Sequence, residues 1–182
     1  MSLDHILLAL LAKPASGYDL KKEFDQGARH YWAAELAQIY PTLKKLETRG
    51  LLTSNPAGSD KGPPRRVYTR TKAGRSELLG WLKQGPLMGK QRLPYLAQLE
   101  HLYEADDLDA TYNFVVQLRQ HFATFGRFLS DVQLGDPEDM NDAQFHELIT
   151  LQYGITACQA RVAWCDESLD QIDNRRKRKE TP

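Results

Sequence analysis

The sequence has little of what membrane proteins, secreted domains and most enzymes depend on. Its 182 residues include two cysteines, five scattered histidines and no glycine-rich phosphate loop. No apolar run reaches the roughly 18 residues that a membrane helix needs. No cationic segment precedes the apolar start of the chain, so a signal peptide is not expected. We therefore expect a cytoplasmic protein with reduced thiols that acts away from the membrane.

Histidines and carboxylates form no recognisable catalytic or metal-binding motif. His146 and Glu147 match the start of the zinc-protease pattern, but Thr150 stands where the second histidine ligand is required. The two cysteines have no histidine at metal-ligand spacing. We therefore expect no enzyme activity, no metal site and no cofactor.

Charge is divided along the chain, although the formal net charge is zero. Residues 1–84 hold 14 Lys+Arg against 8 Asp+Glu, residues 85–174 hold 5 against 15, and residues 175–182 hold 5 against 1. A basic first half joined to an acidic second half indicates two modules, the first of which meets an anionic partner. The alternative is that the uneven charge reflects neutral variation of surface residues and has no function.

The first half has the order of elements of a winged helix-turn-helix. Helices are predicted over residues 2–12, 17–27, 37–49 and 72–84, and a two-stranded hairpin over residues 51–53 and 66–69. Ser16 and Asp19 resemble a capping box for the second helix. The connection between the two strands is rich in proline and glycine, which predicts a long, mobile wing tip.

A proline constrains the third helix. Its apolar residues share one helix face: Leu36, Ile39, Leu43 and Leu46. Because proline clashes with the carbonyl four residues back, Pro41 is expected in the first turn, and the helix is expected to begin near Ala37 or Gln38. Gly50 is placed to end it.

Such a third helix enters the major groove of DNA, and the wing contacts the backbone or the minor groove. The polar side of the helix and the wing offer amide, hydroxyl and cationic groups: Gln38, Thr42, Lys44, Lys45, Lys61, Arg65 and Arg66. Glutamine can pair with an adenine edge, whereas lysine and arginine hold phosphate. Two alternatives stay open: the lysines form an ordinary solvated helix face, or the basic face meets an acidic protein in a winged-helix interaction module without DNA binding.

The second half is predicted to be helical. Long helices over residues 107–133 and from Asn141 onward each carry an apolar heptad seam, and the short turn between them predicts antiparallel packing. The chain then divides into a DNA-binding domain (1–84), a linker (85–92), a helical domain (93–174) and a disordered basic tail (175–182). The tail either adds non-specific DNA affinity or keeps the chain soluble.

Three segments of the first half resemble the PadR family of transcriptional regulators: ILLALLAKPASGYDLKKEF, QIYPTLKKLETRGLL and VYTRTKAGRSELLGWL. The acidic half resembles the C-terminal dimerisation region of the longer, virulence-activator-like members, where LQYGITACQARVAWCDESL matches best. The segment GKQRLPYLAQLEHLY is more polar than the apolar helix usual in the family.

The resemblance implies a mainly helical, homodimeric regulator, usually a repressor, on palindromic DNA. It adds Tyr18 and Tyr40 to the DNA contacts; the alternative for Tyr40 is partial burial against the second helix. Some relatives release DNA when a small aromatic acid or drug-like molecule binds between the domains. Four aromatic residues are candidates for such a pocket, or else for ordinary core: Phe122, Phe125, Tyr153 and Trp164.

Dimerisation is expected to use the seam of the last helix: Leu151, Ile155, Cys158, Val162, Cys165 and Leu169. Cys158 and Cys165 are seven residues apart, about 10.5 Å along a helix axis, so they cannot bridge each other within it. They act as small apolar residues where helices approach closely. Alternatively, a symmetric crossing brings one onto its mate in the second copy as a redox switch.

Overall fold

Four helices and a small antiparallel sheet build the first half of the chain. The structure, a computed structural model, describes residues 2–28, 30–57, 65–89 and 91–180. The chain divides into two units, Met1–Gly89 and Lys90–Pro182, and the predicted linker spans this division. Elements of the first unit are α1 (Ser2–Leu10), β1 (Ala15–Ser16), α2 (Gly17–Glu23), α3 (Leu36–Thr48), β2 (Leu52–Ala57), β3 (Arg65–Arg70) and α4 (Lys72–Leu82).

The sheet has three strands in the order β1-β3-β2, so the predicted hairpin gains a third strand. Ala15 pairs with Tyr68, and Leu52 pairs with Arg70. β1 is two residues long, too short to leave a periodic pattern in the sequence. β2 also runs through Pro56, which was expected in a turn; β2 is an edge strand, where a missing N–H costs no ladder bond.

The core of this unit lies between the four helices and the sheet. Its fully buried side chains include Leu7, Leu8, Leu11, Leu20, Phe24, Ile39, Leu43, Leu46 and Leu52. The predicted capping box is confirmed, because Ser16 Oγ accepts from the backbone N–H of Asp19 at 3.2 Å and Ser16 N donates to Asp19 Oδ2 at 2.9 Å. α2 continues into a π-helical turn, Phe24–Ala28.

α3 differs from its prediction at its start. It begins at Leu36, so Pro41 lies in the second turn rather than the first. The start is fixed by Gln38, whose side-chain oxygen accepts from the backbone N–H of Glu35 at 3.2 Å. This cap outweighs the loss of one backbone hydrogen bond at an exposed proline. Leu36, expected on the buried face, is exposed, because it precedes the part of α3 that packs on the core.

The second unit contains α5 (Pro94–His101), α6 (Leu108–Ser130) and α7 (Asp142–Glu180), with short 3₁₀ turns at Leu102–Ala105 and Pro137–Asp139. The predicted reciprocal cap is confirmed: Asn141 and Gln144 exchange two hydrogen bonds of 3.1 Å before α7. α6 and α7 pack along their apolar seams. No described helix combines the length and hydropathy that a membrane span requires.

The basic tail was predicted to be disordered, and for residues 175–180 that prediction is wrong. α7 runs on to Glu180 and is 39 residues long, about 58 Å at 1.5 Å per residue. Arginine and lysine are good helix formers, and cations suit the carboxyl end of a helix. Arg176 also anchors this end: it forms ion pairs with Asp109 and Asp173 and lies over the ring of Tyr112, 4.3 Å from its centroid.

Candidate DNA interface

One side of α3 is buried and the other carries the predicted DNA contacts. Ile39, Leu43 and Leu46 have no exposed surface. Gln38, Tyr40 and Lys44 are exposed, and Thr42 is half-buried. The fold therefore turns a short polar surface outward on the helix that a winged helix-turn-helix inserts into DNA.

Gln38 has a structural role as a helix cap in addition to its predicted role in base recognition. Its side-chain oxygen caps the start of α3 through the backbone N–H of Glu35. Bidentate pairing with an adenine edge needs both the oxygen and the NH₂ group of the amide. Base recognition of that kind by Gln38 would therefore require the capping bond to open.

Tyr40 lies directly on the start of α2. A Cβ atom added at Gly17 would fall 2.6 Å from Cε1 and 2.8 Å from Cζ of the Tyr40 ring, so a larger residue there would displace the ring. Tyr40 keeps 47% of its surface exposed, and Tyr18 keeps 63%. Two tyrosines thus flank the junction of α2 and α3, each accessible to a partner.

Lys44 and Lys45 are neighbours in sequence but differ in environment. No described residue forms an ion pair with the exposed Lys44. Lys45 Nζ lies 2.6 Å from Oδ2 of Asp4, whose side chain is only 8% exposed. The expectation that both lysines contact phosphate is therefore not what the geometry favours, because Lys45 already serves as the counter-ion of a buried carboxylate.

Thr42 uses its hydroxyl hydrogen inside the helix, donating to the carbonyl oxygen of Gln38 at 2.7 Å. Its oxygen can still accept a hydrogen bond, for instance from a base amino group. Thr42 is thus restricted to the acceptor role while this bond is in place.

The wing brings two arginines to the end of the sheet. Arg65 and Arg66 are exposed at the start of β3, opposite Ala57 and Pro56. Hydrogen bonds from Ser16 hold the pKa of Asp19 below its usual range, and the charge of Arg65 contributes in the same direction, which places that arginine near the start of α2. Lys61, the third predicted wing cation, lies outside the described residues.

Three of the six residues in the predicted dimerisation seam of α7 are buried within the single chain. Leu151, Cys158 and Cys165 are buried against α6, in clusters that contain Val115, Phe122 and Leu129. Burial raises the pKa of both cysteine thiols. These side chains form the core of the α6–α7 hairpin, whereas Ile155, Val162 and Leu169 keep part of their surface exposed, so the dimerisation seam stays a prediction.

The four aromatic residues predicted to line an effector pocket are not brought together. Phe122 and Trp164 belong to one buried cluster, and Phe125 belongs to another. Tyr153 is exposed. Among the described residues there is also no group of three or more His, Cys, Asp or Glu that could hold a metal ion.

Sequence reasoning did not predict a groove that the structure contains. It has a volume of about 710 Å³ and lies within the second unit, with Leu99 and Ile172 as apolar lining and Arg175, Arg178 and Lys179 as cations. The basic residues were visible in the sequence, but their assignment to a disordered tail concealed that they line a groove.

Asp4 was also missed, although its spacing of 3, 4 and 7 from Leu7, Leu8 and Leu11 places it on the apolar face of α1.

A winged helix-turn-helix followed by a long helical hairpin defines a class of DNA-binding regulators with a separate helical domain. Comparison with known families narrows this class. Residues 6–80 match the transcriptional regulator PadR-like family, and residues 90–173 match the virulence activator alpha C-terminal family. The chain belongs to the PadR-like transcriptional regulators, in the form that carries this C-terminal region.

Individual relatives match over almost the whole chain. A probable transcriptional regulator of Mycobacterium tuberculosis, Rv1176c, is 26% identical over 190 residues, covering 97% of this chain and 100% of the relative. The negative transcriptional regulator PadR of Bacillus subtilis is 26% identical, covering 94% and 97%. The crystal structure of B. subtilis PadR with operator DNA superimposes with a TM-score of 0.76 at 21% identity, covering 94% of this chain and 99% of that one.

Proposed function

We propose that this protein is a homodimeric regulator of transcription, a repressor of the PadR type, that binds a palindromic operator in the cytoplasm. The observation that carries the proposal is the exposed polar surface of α3 beside the wing arginines, in a chain of the PadR-like family. Lys44, Arg65 and Arg66 supply phosphate contacts, and the first turns of α3 supply base recognition. B. subtilis PadR, which matches 94% of this chain, has been solved with operator DNA.

The test is a titration of fluorescently labelled promoter DNA at several salt concentrations. We expect the logarithm of the binding constant to fall linearly with the logarithm of salt concentration, and Lys44→Ala to reduce the slope by about one. Lys83→Ala, an exposed lysine at the end of α4, is the matched control and should leave the slope unchanged. A protein-interaction module predicts no DNA affinity even at low salt, and that result would refute the proposal.

Dimerisation is proposed to use the outer face of α7. Phe145, Ile149 and Tyr153 recur every four residues and are each about half exposed, so they form an apolar stripe. Ile149 lies about 200° around the helix from Leu151, on the side opposite the seam that packs on α6. A helix with two apolar faces, only one of them covered by its own chain, fits a second copy on the other.

Sedimentation velocity tests this interface. Ile149→Glu should convert the dimer into a monomer, because a buried, unpaired carboxylate is costly. Thr150→Glu, one residue further along and exposed, is the matched control and should remain dimeric. A dimeric Ile149→Glu protein would show that the second copy binds elsewhere.

An effector site is proposed in the groove between α5, α6 and the end of α7. Its apolar lining and three cations suit a small organic anion with an apolar body, such as an aromatic carboxylate. B. subtilis PadR has also been solved with p-coumaric acid, at 24% identity and a TM-score of 0.70, covering 94% of this chain and 95% of that one. We expect p-coumarate to bind by calorimetry and to release operator DNA, and Arg175→Glu/Arg178→Glu to weaken binding at least tenfold. Equal binding by that variant would remove the groove as the site.

A further inference from the structure

Asp4 is a buried carboxylate in the DNA-binding unit that the proposed function does not use. It lies on the apolar face of α1, 5% exposed as a residue. Oδ2 lies 2.6 Å from Nζ of Lys45 and 3.7 Å from Nη1 of Arg49, both on the carboxyl-terminal half of α3 and its cap. Separating a carboxylate so placed from its cation is costly, because the charge would be left buried without a partner.

One of these cations, Arg49, connects the end of α3 to α4. Arg49 Nη2 lies 3.0 Å from Oε1 of Glu77, and His5 Nε2 lies 3.9 Å from the same oxygen. The ring of His5 stacks on Trp81, with centroids 4.9 Å apart and planes 4° from parallel. Charged groups of α1, α3 and α4 therefore form one continuous network on the side of α3 that faces the domain.

We propose that Asp4 is a positioning residue for the recognition helix. It holds Lys45 as an internal counter-ion, which fixes the rotation of α3 about its axis and keeps Lys45 from contacting phosphate. Lys44 then supplies the lysine contact that α3 makes to DNA. This inference rests on the proposed DNA-binding function.

The physical reason is the cost of separating the pair. If Lys45 moved to a phosphate, Asp4 would keep only Arg49, at 3.7 Å and already paired with Glu77. Lys45 is 43% exposed, so its ammonium group is partly hydrated where it is and gains less from a phosphate than the buried Asp4 loses. Lys44 has no such partner among the described residues and is available to DNA at no internal cost.

Two neighbouring lysines provide a matched experiment. Lys44→Met and Lys45→Met each remove one charge and keep most of the side-chain length. We expect Lys44→Met to reduce the salt slope of operator binding by about one and to leave the melting temperature unchanged. We expect Lys45→Met to keep the wild-type slope and to lower the melting temperature of the DNA-binding unit by about 5 °C or more.

Either a slope reduced by about one or an unchanged melting temperature in Lys45→Met would overturn the inference. If Lys45→Met is too unstable to measure, Asp4→Asn/Lys45→Gln removes both charges and leaves a polar pair. That double variant should melt above either single variant and bind operator with the wild-type slope; a lower slope would again show that Lys45 contacts phosphate.

The result that would refute the proposed DNA-binding function differs from the results that would refute the role of Asp4. A wild-type protein that binds no DNA would refute the regulator itself. Melting temperatures of Asp4→Asn, Lys45→Gln and the double variant test the pair without DNA, and additive losses would exclude it.

Discussion

Gly17→Ala should damage DNA binding without damaging the fold. The new methyl carbon would lie 2.6 Å from Cε1 of Tyr40, whereas carbon atoms rest about 3.5–4.0 Å apart. The ring must therefore move by about 1 Å. It can do so because Tyr40 is 47% exposed, so the ring has solvent to move into. Alanine also suits the first turn of α2 at least as well as glycine, so the melting temperature should change by less than about 2 °C.

The functional loss follows from the same displacement. If the Tyr40 hydroxyl donates to a DNA phosphate at about 2.8 Å, a movement of about 1 Å takes it beyond hydrogen-bonding distance. Hydrogen bonds to charged groups contribute about 1.5–3 kcal/mol. The operator Kd should therefore rise by roughly 10- to 150-fold, since about 1.4 kcal/mol is a factor of ten.

Fluorescence anisotropy on four proteins isolates this effect: wild type, Gly17→Ala, Tyr40→Phe and the double variant. In the Tyr40→Phe background the hydroxyl is already absent, so Gly17→Ala should have little further effect on the Kd. An equal loss in both backgrounds would show that Gly17 acts on DNA binding independently of the Tyr40 hydroxyl. A melting temperature lowered by more than about 5 °C would show that the ring cannot move as argued.

Three further predictions concern stability and redox chemistry. Gly74→Ala should destabilise the first unit by about 3 kcal/mol or more in denaturant titrations, because its Cβ would lie 2.2 Å from the backbone oxygen of Leu51; Gly80→Ala, with open space around it in the same helix, is the control and should be neutral or stabilising. The folded pKa of Asp19 lies below 3.8, so its ionised form stabilises the fold above that pH, and the stability is lost as pH falls through the folded value. The melting temperature of Asp19→Asn should accordingly fall less than that of the wild type between pH 5 and about pH 2.5, and parallel curves would contradict this. Cys158 and Cys165 should stay reduced after mild peroxide, because their thiols are buried and their pKa values are raised, and a disulfide-linked dimer on a non-reducing gel would disprove it.

Local chemistry explains why much of the fold was predictable. The caps at Ser16 and Asn141 are hydrogen bonds between residues only three positions apart, and both form as expected. The seams of α6 and α7 are long periodic patterns, and their antiparallel packing follows from the short turn between them. The mainly helical fold with a winged helix-turn-helix is also confirmed. Its order of elements was predictable because hydrophobic periodicity and turn residues are local features of the sequence.

Predictions failed where a residue's partner is distant in sequence or where two local rules compete. Pro41 alone favours a later helix start, but the bond between Gln38 and Glu35 decides the start of α3. The basic tail looks disordered by composition, yet Arg176 reaches back to Asp109, 67 residues earlier. Leu151, Cys158 and Cys165, which were assigned to a dimer seam, pack against α6, and a sequence does not show which of two apolar surfaces meets its own chain.

The sequence by itself determined the family, the two modules and the helix that meets DNA, because these depend on spacing, charge and turn chemistry along the chain. The tertiary structure alone decided which of two adjacent lysines is available to DNA. Lys44 and Lys45 are the same chemical group one residue apart, about 100° around a helix. Only the packing of α1 against α3 brings Asp4 within 2.6 Å of one of them, across 41 residues of chain.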